Sequence, residues 1–381
     1  MQDTNNKKKI KVLIGANDLR LAGVQRLVID QLQLLDRNLF DISLVVLMKF
    51  PKKETFDDLV PSDVRVYQLS FRGLTDIRQW VLLAKILLEV KPDIVKTATF
   101  FSNTVFLSLK IFFGYAVVSA EHNTVSVKPF WQRAVDWLLL PRSYTIVGDS
   151  EGVADFVSKV EHINRKKFTV IYNGVNLEAV AEAERLYRPK REALRSSYGI
   201  PADAYVVITV ARLITQKNHH LMIEAFARLC SERDDAYLVI VGEGALRDDL
   251  EVLARNLKVE KRVLFMGVSK NVYQFYAIAD CFLLTSLREG FCIAAMEGLA
   301  FGMPLISTRV AGVSEYLKDG ENGYFVDDTP EDIAKKLQVV IGMPPEKRKQ
   351  FSESGKATAK EYSIARYGEK YNDLFQKCFS R

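Results

Sequence analysis

Short runs rich in Val and Ile, each followed by a longer stretch of helical periodicity, recur along almost the whole of this 381-residue chain. The first series comprises IKVLIGA (10–16), ISLVVLM (42–48), VRVYQL (64–69), DIVKTA (93–98), AVVSAE (116–121), YTIVGD (144–149) and FTVIYN (168–173). The second comprises AYVVITVA (204–211), AYLVIVG (236–242), RVLFMG (262–267), CFLLTS (281–286) and PLIST (304–308). Continuous apolar runs mark strands buried on both faces, and their alternation with helices implies parallel sheets covered on either side. The fold class is therefore α/β, and the length favours two domains over a single core. The polar stretch 176–201 has no strand pattern and is the expected boundary between them. Beyond about residue 329 the pattern is wholly helical, ending in 364–379.

The balance of 48% hydrophobic and 26% charged residues suits a globular chain, and no apolar run is long enough to cross a bilayer. The most apolar stretch, 105–120, is interrupted by Lys110 and Gly114 and reads as a helix followed by a strand. The first residues carry no signal-peptide core, so a cytoplasmic location is expected. Cys230, Cys281, Cys292 and Cys378 form no C-x-x-C pair, which argues against a disulfide framework or a zinc site. The net charge of +6 is spread along the chain rather than massed in a stripe. It argues against a nucleic-acid partner and is compatible with phosphate-bearing ligands or an anionic membrane surface.

Parallel sheets bind ligands beyond the carboxyl ends of their strands, so the chemistry is sought just after each run. After 10–16, Gly23 opens a helix whose free N–H groups and dipole suit an anion. After 204–211 come Arg212 and Lys217, ahead of the next helix. A helix dipole does not favour cations at that end, so a bound anion such as a diphosphate explains the pair better than two solvated charges. After 281–286 comes Glu289; Gly290 and Phe291 then open a helix, and Glu297 lies eight positions on, a rise of about 12 Å. The two carboxylates are expected on roughly one side, each a bidentate acceptor for paired hydroxyls. His122 ends a strand, where it is either structural or placed to donate to a sugar hydroxyl or to developing charge.

Two motifs carry rival readings. GDSEG (148–152) fits G-x-S-x-G and would make Ser150 the nucleophile of an α/β hydrolase, with His219 or His220 as its partner. GEGALR (242–247) begins a dinucleotide fingerprint, but Arg247 replaces the third glycine. The chain has no Walker A sequence and no D-x-D of the kind that holds a metal-bound diphosphate, so neutralisation falls to its own cations.

Taken together, VARLITQKNHHLMIEAF, VIVGEG, VLFMG, TSLREGFCIAAMEGLAFGMPLIST and AGVSEYLKDGENGYFV resemble the family four glycosyltransferases of the GT-B fold. The amino half is similar more loosely, through AGVQRL, EHN, GDSEGV and VIYNGVN. The resemblance implies two Rossmann-like domains facing across a cleft. Residues 1–182 would form the acceptor side, 183–361 would bind the nucleotide-sugar, and 362–381 would pack back on the first domain. Arg212 and Lys217 would take the donor diphosphate, with Gly23 in the loop over the phosphates. Glu289 would meet the sugar, Glu297 the ribose, and His122 would lie beside the transferred sugar. Gly242, Gly267, Gly290, Phe291 and Cys292 complete the implied donor site. Ala22 and Cys292 stand where the family often has glycines.

The implied reaction is transfer with retention from a nucleoside-diphosphate sugar, UDP favoured over GDP, with no metal or other cofactor. Domain closure would exclude water. A catalytically silent sugar-binding protein is the remaining alternative. The lysines Lys7, Lys8, Lys9 and Lys11 and the segment 128–142, with Trp131 and Trp137 among leucines and basic residues, suit either a peripheral membrane surface or ordinary core. By analogy the acceptor is a glycan, lipid-linked or on the cell surface, met at the cytoplasmic leaflet.

Overall fold

The computed structural model describes residues 8–20, 23–51, 55–122 and 128–380. Ala22 and Lys7, and the residues that follow His122 in the EHN motif, lie outside the described residues. The chain divides into two units: Met1–Asn173 with Ala365–Arg381, and Gly174–Ile364.

Among the described residues, the first unit holds seven strands: β1 (Ile10–Ala16), β2 (Phe40–Val46), β3 (Arg65–Gln68), β4 (Ile94–Thr97), β5 (Ala116–Glu121), β6 (Thr145–Gly148) and β7 (Phe168–Val170). They form one parallel sheet in the order β3-β2-β1-β4-β5-β6-β7. β1 pairs with β2 on one side and β4 on the other, so successive crossovers run outward in both directions from the β1/β4 boundary. The core packs tightly there: a Cβ on Gly15 would meet the Phe106 ring at 2.2 Å, so even Gly15→Ala would force the ring to move.

The second unit holds β8 (Tyr205–Val210), β9 (Ala236–Val241), β10 (Val263–Gly267), β11 (Cys281–Leu284), β12 (Leu305–Thr308) and β13 (Gly323–Val326). Their parallel order is β10-β9-β8-β11-β12-β13, with the reversal between β8 and β11. Each run named above contains its strand, except that β2 starts two residues ahead of the run 42–48. β13 has no counterpart among them, because GYFV is a half-buried edge strand rather than a continuous apolar run. Gly323 is needed in it, since a Cβ there would meet Leu305 O at 2.0 Å.

The domain limits differ from those expected at 182 and 361. The polar stretch after residue 176 folds as the helices Leu177–Tyr187 and Arg191–Ser197 and belongs wholly to the second unit. Arg195 in it is buried, donating to Ile278 O, Ala202 O, Ala204 O and the Asp280 carboxylate. Polarity there therefore reflects a buried arginine and helix surfaces, not a linker.

The helix Ile364–Phe379 joins the first unit from Ala365 onward. Tyr367, Tyr371, Leu374, Phe375 and Cys378 form its buried stripe at helical spacing. Phe375 meets Phe40 edge-on at 5.9 Å, and Gly368 lies so close that a Cβ would sit 2.9 Å from Leu34 Cβ.

Candidate active site

Within the second unit, the loops after β8 and β11 lie side by side because those strands are neighbours at the reversal of strand order. Such a point is where open parallel sheets bind ligands. Glycines let three strand ends converge there. Gly242, at φ +144°, donates its N–H to Gly267 O at 2.9 Å, and a Cβ on it would meet Ala211 O at 2.0 Å. Gly267 is itself left-handed at φ +70°.

Lys217 ends a 3-10 turn, Thr215–Lys217, just before the helix His219–Cys230. Its Nζ donates to Glu289 Oε1 at 2.6 Å, and the Ser286 hydroxyl donates to the same oxygen at 2.6 Å. Burial alone would depress the Lys217 ammonium, but the Glu289 carboxylate holds its pKa above the ordinary lysine value. Arg212 is exposed, and among the described residues its guanidinium has no hydrogen-bond or ion-pair partner; its charge opposes that of Lys217. The neighbouring His219 is buried. Desolvation, Lys217 and His220 lower its pKa to about 4, which keeps it neutral.

The two glutamates are not on one helix. The helix spans Ile293–Ala300, so Glu289 lies in the loop ahead of it and the expected helical spacing does not apply. A tight backbone contact shapes that loop: a Cβ on Gly312 would lie 1.7 Å from Gly290 O. The Phe291 side chain is core, packed against Tyr316 and Tyr362 at 5.3 and 5.4 Å, so only its backbone is available to a ligand. Cys292 sits at φ +62°, in the left-handed region, which explains physically why glycine suits this position. Burial and the Glu289 carboxylate push its thiol up to about 12. Glu297 is met on both oxygens, by Tyr276 Oη at 2.8 Å and Tyr273 Oη at 3.3 Å.

In the first unit, Gly23 is the first residue of the helix Gly23–Leu34, and a Cβ there would meet nothing within 4 Å. His122 follows β5, its Nδ1 3.5 Å from Asp149 Oδ2. Asn173 donates to that oxygen at 3.1 Å. Burial raises the Asp149 pKa, and His122 and Asn173 partly offset this. Ser150 is fully buried and extended, at φ −158°, and its Oγ accepts from Val153 N at 3.1 Å as the cap of the helix Glu151–Val160. That is an N-cap rather than a nucleophile elbow, whose serine is exposed on a strained turn, so the hydrolase reading does not fit. Asp149, Ser286, Tyr273 and Tyr276 were not singled out from sequence. Position just after a strand would have flagged Asp149 and Ser286; nothing local flags the tyrosines.

Residues 190–358 match the family model described as glycosyl transferases group 1, and residues 21–179 match the one described as glycosyltransferase family 4. The chain belongs to the family 4 glycosyltransferases. It is 31% identical over 239 residues, 61% of each chain, to the N-acetylgalactosamine-N,N'-diacetylbacillosaminyl-diphospho-undecaprenol 4-alpha-N-acetylgalactosaminyltransferase of Campylobacter jejuni. The match thus spans about three fifths of that relative's length. It is 27% identical over 81% of each chain to the UDP-Gal:alpha-D-GlcNAc-diphosphoundecaprenol alpha-1,3-galactosyltransferase of Escherichia coli. Two solved structures share the family's GT-B fold with it at a TM-score of 0.83. They are a glycosyltransferase of Rickettsia africae (20% identical, 97% of this chain and 99% of that one) and Anabaena HepE with UDP (18%, 97% and 100%).

Proposed function

We propose that this chain transfers a hexosyl or N-acetylhexosaminyl group, with retention and without a metal, from a UDP-sugar to a lipid-linked or surface glycan. The observation that carries the reading is the Lys217–Glu289 pair at the reversal of the second sheet, with the unpaired Arg212 guanidinium beside it. An ammonium has three donors, so Lys217 can hold Glu289 and still reach a phosphate oxygen. Arg212 supplies a second charge in a geometry suited to phosphate. The two cations stabilise the departing diphosphate, which is where negative charge grows as the sugar's C1–O bond breaks. Glu289 orients the sugar hydroxyls and Glu297 the ribose diol. Gly242, Gly267, Gly290 and the backbone of Phe291 and Cys292 line the same strand ends. The acceptor oxygen bonds to C1 from the face the diphosphate leaves, and its proton passes to a diphosphate oxygen. In the first unit, Gly23 opens a helix N-terminus of the kind that suits an anion, and His122 carries a ring N–H of the kind that suits a hydroxyl.

UDP is favoured because HepE was solved with UDP and the Escherichia coli relative is named for UDP-Gal. The lipid-linked acceptor is supported by the undecaprenol-diphosphate substrates in the names of both relatives. No helix among the described residues is long and apolar enough to cross a membrane. A peripheral visit to the cytoplasmic leaflet is supported instead by an exposed apolar face in the first unit. Phe130 is 86% exposed and Trp137 60%, on the helix Phe130–Leu139, and Ile111 (72%) and Phe112 (76%) end the helix Phe100–Phe113. Lys110 and Arg142 lie in the same region, joined by a bond from Lys110 Nζ to Arg142 O at 2.6 Å. The tryptophans of 128–142 are thus not ordinary core, and apolar groups beside cations suit an anionic interface.

The test is transfer from UDP-hexoses and UDP-N-acetylhexosamines to a synthetic polyprenyl-diphosphate glycan in EDTA, with the product's anomeric coupling read by NMR. An α-linked product from an α-donor, formed without metal, is expected. Inversion, or strict dependence on added magnesium or manganese, would overturn the corresponding part.

A further inference from the structure

We propose that Asp149 is a positioning residue for His122: its carboxylate draws the ring proton to Nδ1 and leaves Nε2 as the atom that meets a substrate hydroxyl. This rests on the pairing of His122 with a hydroxyl proposed above, and specifies which ring nitrogen serves it. β5 and β6 pair with Glu121 opposite Gly148, so His122 and Asp149 are the next residues on neighbouring strand ends, where parallel sheets take ligands. His122 Nδ1 lies 3.5 Å from Asp149 Oδ2, and the two side chains are only 8% and 5% exposed. Neither ring nitrogen makes a hydrogen bond among the described residues, and neither does Asp149 Oδ1. A buried imidazole left unsatisfied at both nitrogens is costly, and a ligand that supplies a partner relieves the cost.

The carboxylate is itself held. Asn173, just beyond β7, donates from Nδ2 to Asp149 Oδ2 at 3.1 Å. Oδ2 is thereby an acceptor, and the ring nitrogen that faces it is matched only when it carries a proton. A neutral imidazole has one N–H and one lone pair, so a partner at one nitrogen fixes the state of the other. With the proton on Nδ1, Nε2 accepts from a hydroxyl. The 3.5 Å separation is longer than a formed bond, and contacts of this kind tighten when substrate fills a site. The next residue fixes the backbone: Ser150 is fully buried, and its Oγ caps the helix Glu151–Val160. GDSEG (148–152) therefore serves through its aspartate and not as a serine nucleophile.

The test is a long-range nitrogen–proton correlation spectrum of the four histidines at pH 8, with His122 assigned by its absence from His122→Ala. The wild type should show a protonated Nδ1 and a bare Nε2 at His122, and Asp149→Ala should lose that preference. In transfer from UDP-hexoses to the polyprenyl-diphosphate glycan, Asp149→Ala should lower kcat about tenfold, less than the loss of a preorganised contact itself. UDP affinity should stay within about twofold of the wild type. Added to His122→Ala, the same substitution should cost nothing more, because it acts through the ring. A wild-type ring with its proton on Nε2, a tautomer that Asp149→Ala leaves unmoved, or a further loss of kcat in the double variant would overturn the proposal. The wild-type spectrum decides it even where Asp149→Ala folds poorly. A His122→Ala variant with full kcat, in a protein whose spectrum is as expected, would instead remove the role of His122 at the sugar.

Discussion

Lys217 and Glu289, seventy-two positions apart in sequence, form a 2.6 Å ion pair with little solvent around it. Removing one partner of such a pair leaves the other charge uncompensated, whereas an isosteric change mainly removes the charge interaction. Lys217→Ala should therefore lower both Tm and UDP affinity. Glu289→Gln should keep the fold and UDP binding within a few-fold and lower kcat by about 10²–10³, the usual scale for a preorganised contact at a reaction centre. Equal loss of UDP affinity in the two variants would undo this division of labour.

Cys292 carries a strain that glycine would not. Left-handed backbone costs a non-glycine residue about 1–2 kcal/mol, so Cys292→Gly should be more stable than Cys292→Ala, by about 1 kcal/mol in urea unfolding. The thiol, with its pKa pushed up to about 12, should also resist iodoacetamide at pH 8 in the folded protein. Rapid alkylation of Cys292 at that pH would show that its surroundings do not hold the thiol protonated.

Lys96 on β4 is fully buried, with Nζ 5.9 Å from the centre of the Tyr371 ring, and burial lowers its pKa to about 7. Between that value and the ordinary lysine value the unfolded chain binds more protons than the folded one, so stability should rise with pH across this window. It should be lost as pH falls through about 7. Lys96→Met should flatten this slope and raise stability most at and below neutral pH, by an amount on the order of a few kcal/mol. A variant whose Tm follows the wild type in parallel from pH 6 to 10 would show that Lys96 keeps its charge when folded.

The apolar face of the first unit predicts salt-sensitive binding to anionic vesicles. Basic residues near such a surface contribute about 1 kcal/mol each at low salt. The wild type should sediment with phosphatidylglycerol vesicles at low salt and less so when salt is raised. Phe130→Ser with Trp137→Ser should abolish sedimentation while leaving Tm nearly unchanged, because both side chains are already exposed. Unaltered sedimentation of that double variant would move the contact elsewhere.

Sequence alone determined the layers of this protein. A strand buried on both faces must be apolar throughout, so most strands among the described residues announce themselves as apolar runs; β3, an exposed edge strand, was legible from its own short run, and β13 was not. The places of Arg212, Lys217, Glu289 and His122 just beyond strand ends, where parallel sheets take ligands, were also legible from where their runs stop. What periodicity cannot encode is which strands become neighbours. The order β10-β9-β8-β11-β12-β13 is what joins Lys217 to Glu289, and helix packing is what sets Tyr273 and Tyr276 on Glu297. The backbone of Cys292, the cap made by Ser150 and the exposure of Trp137 were likewise decided by tertiary structure. Each depends on contacts between segments distant in sequence, and a local pattern of polar and apolar residues reads the same whichever partner the fold supplies.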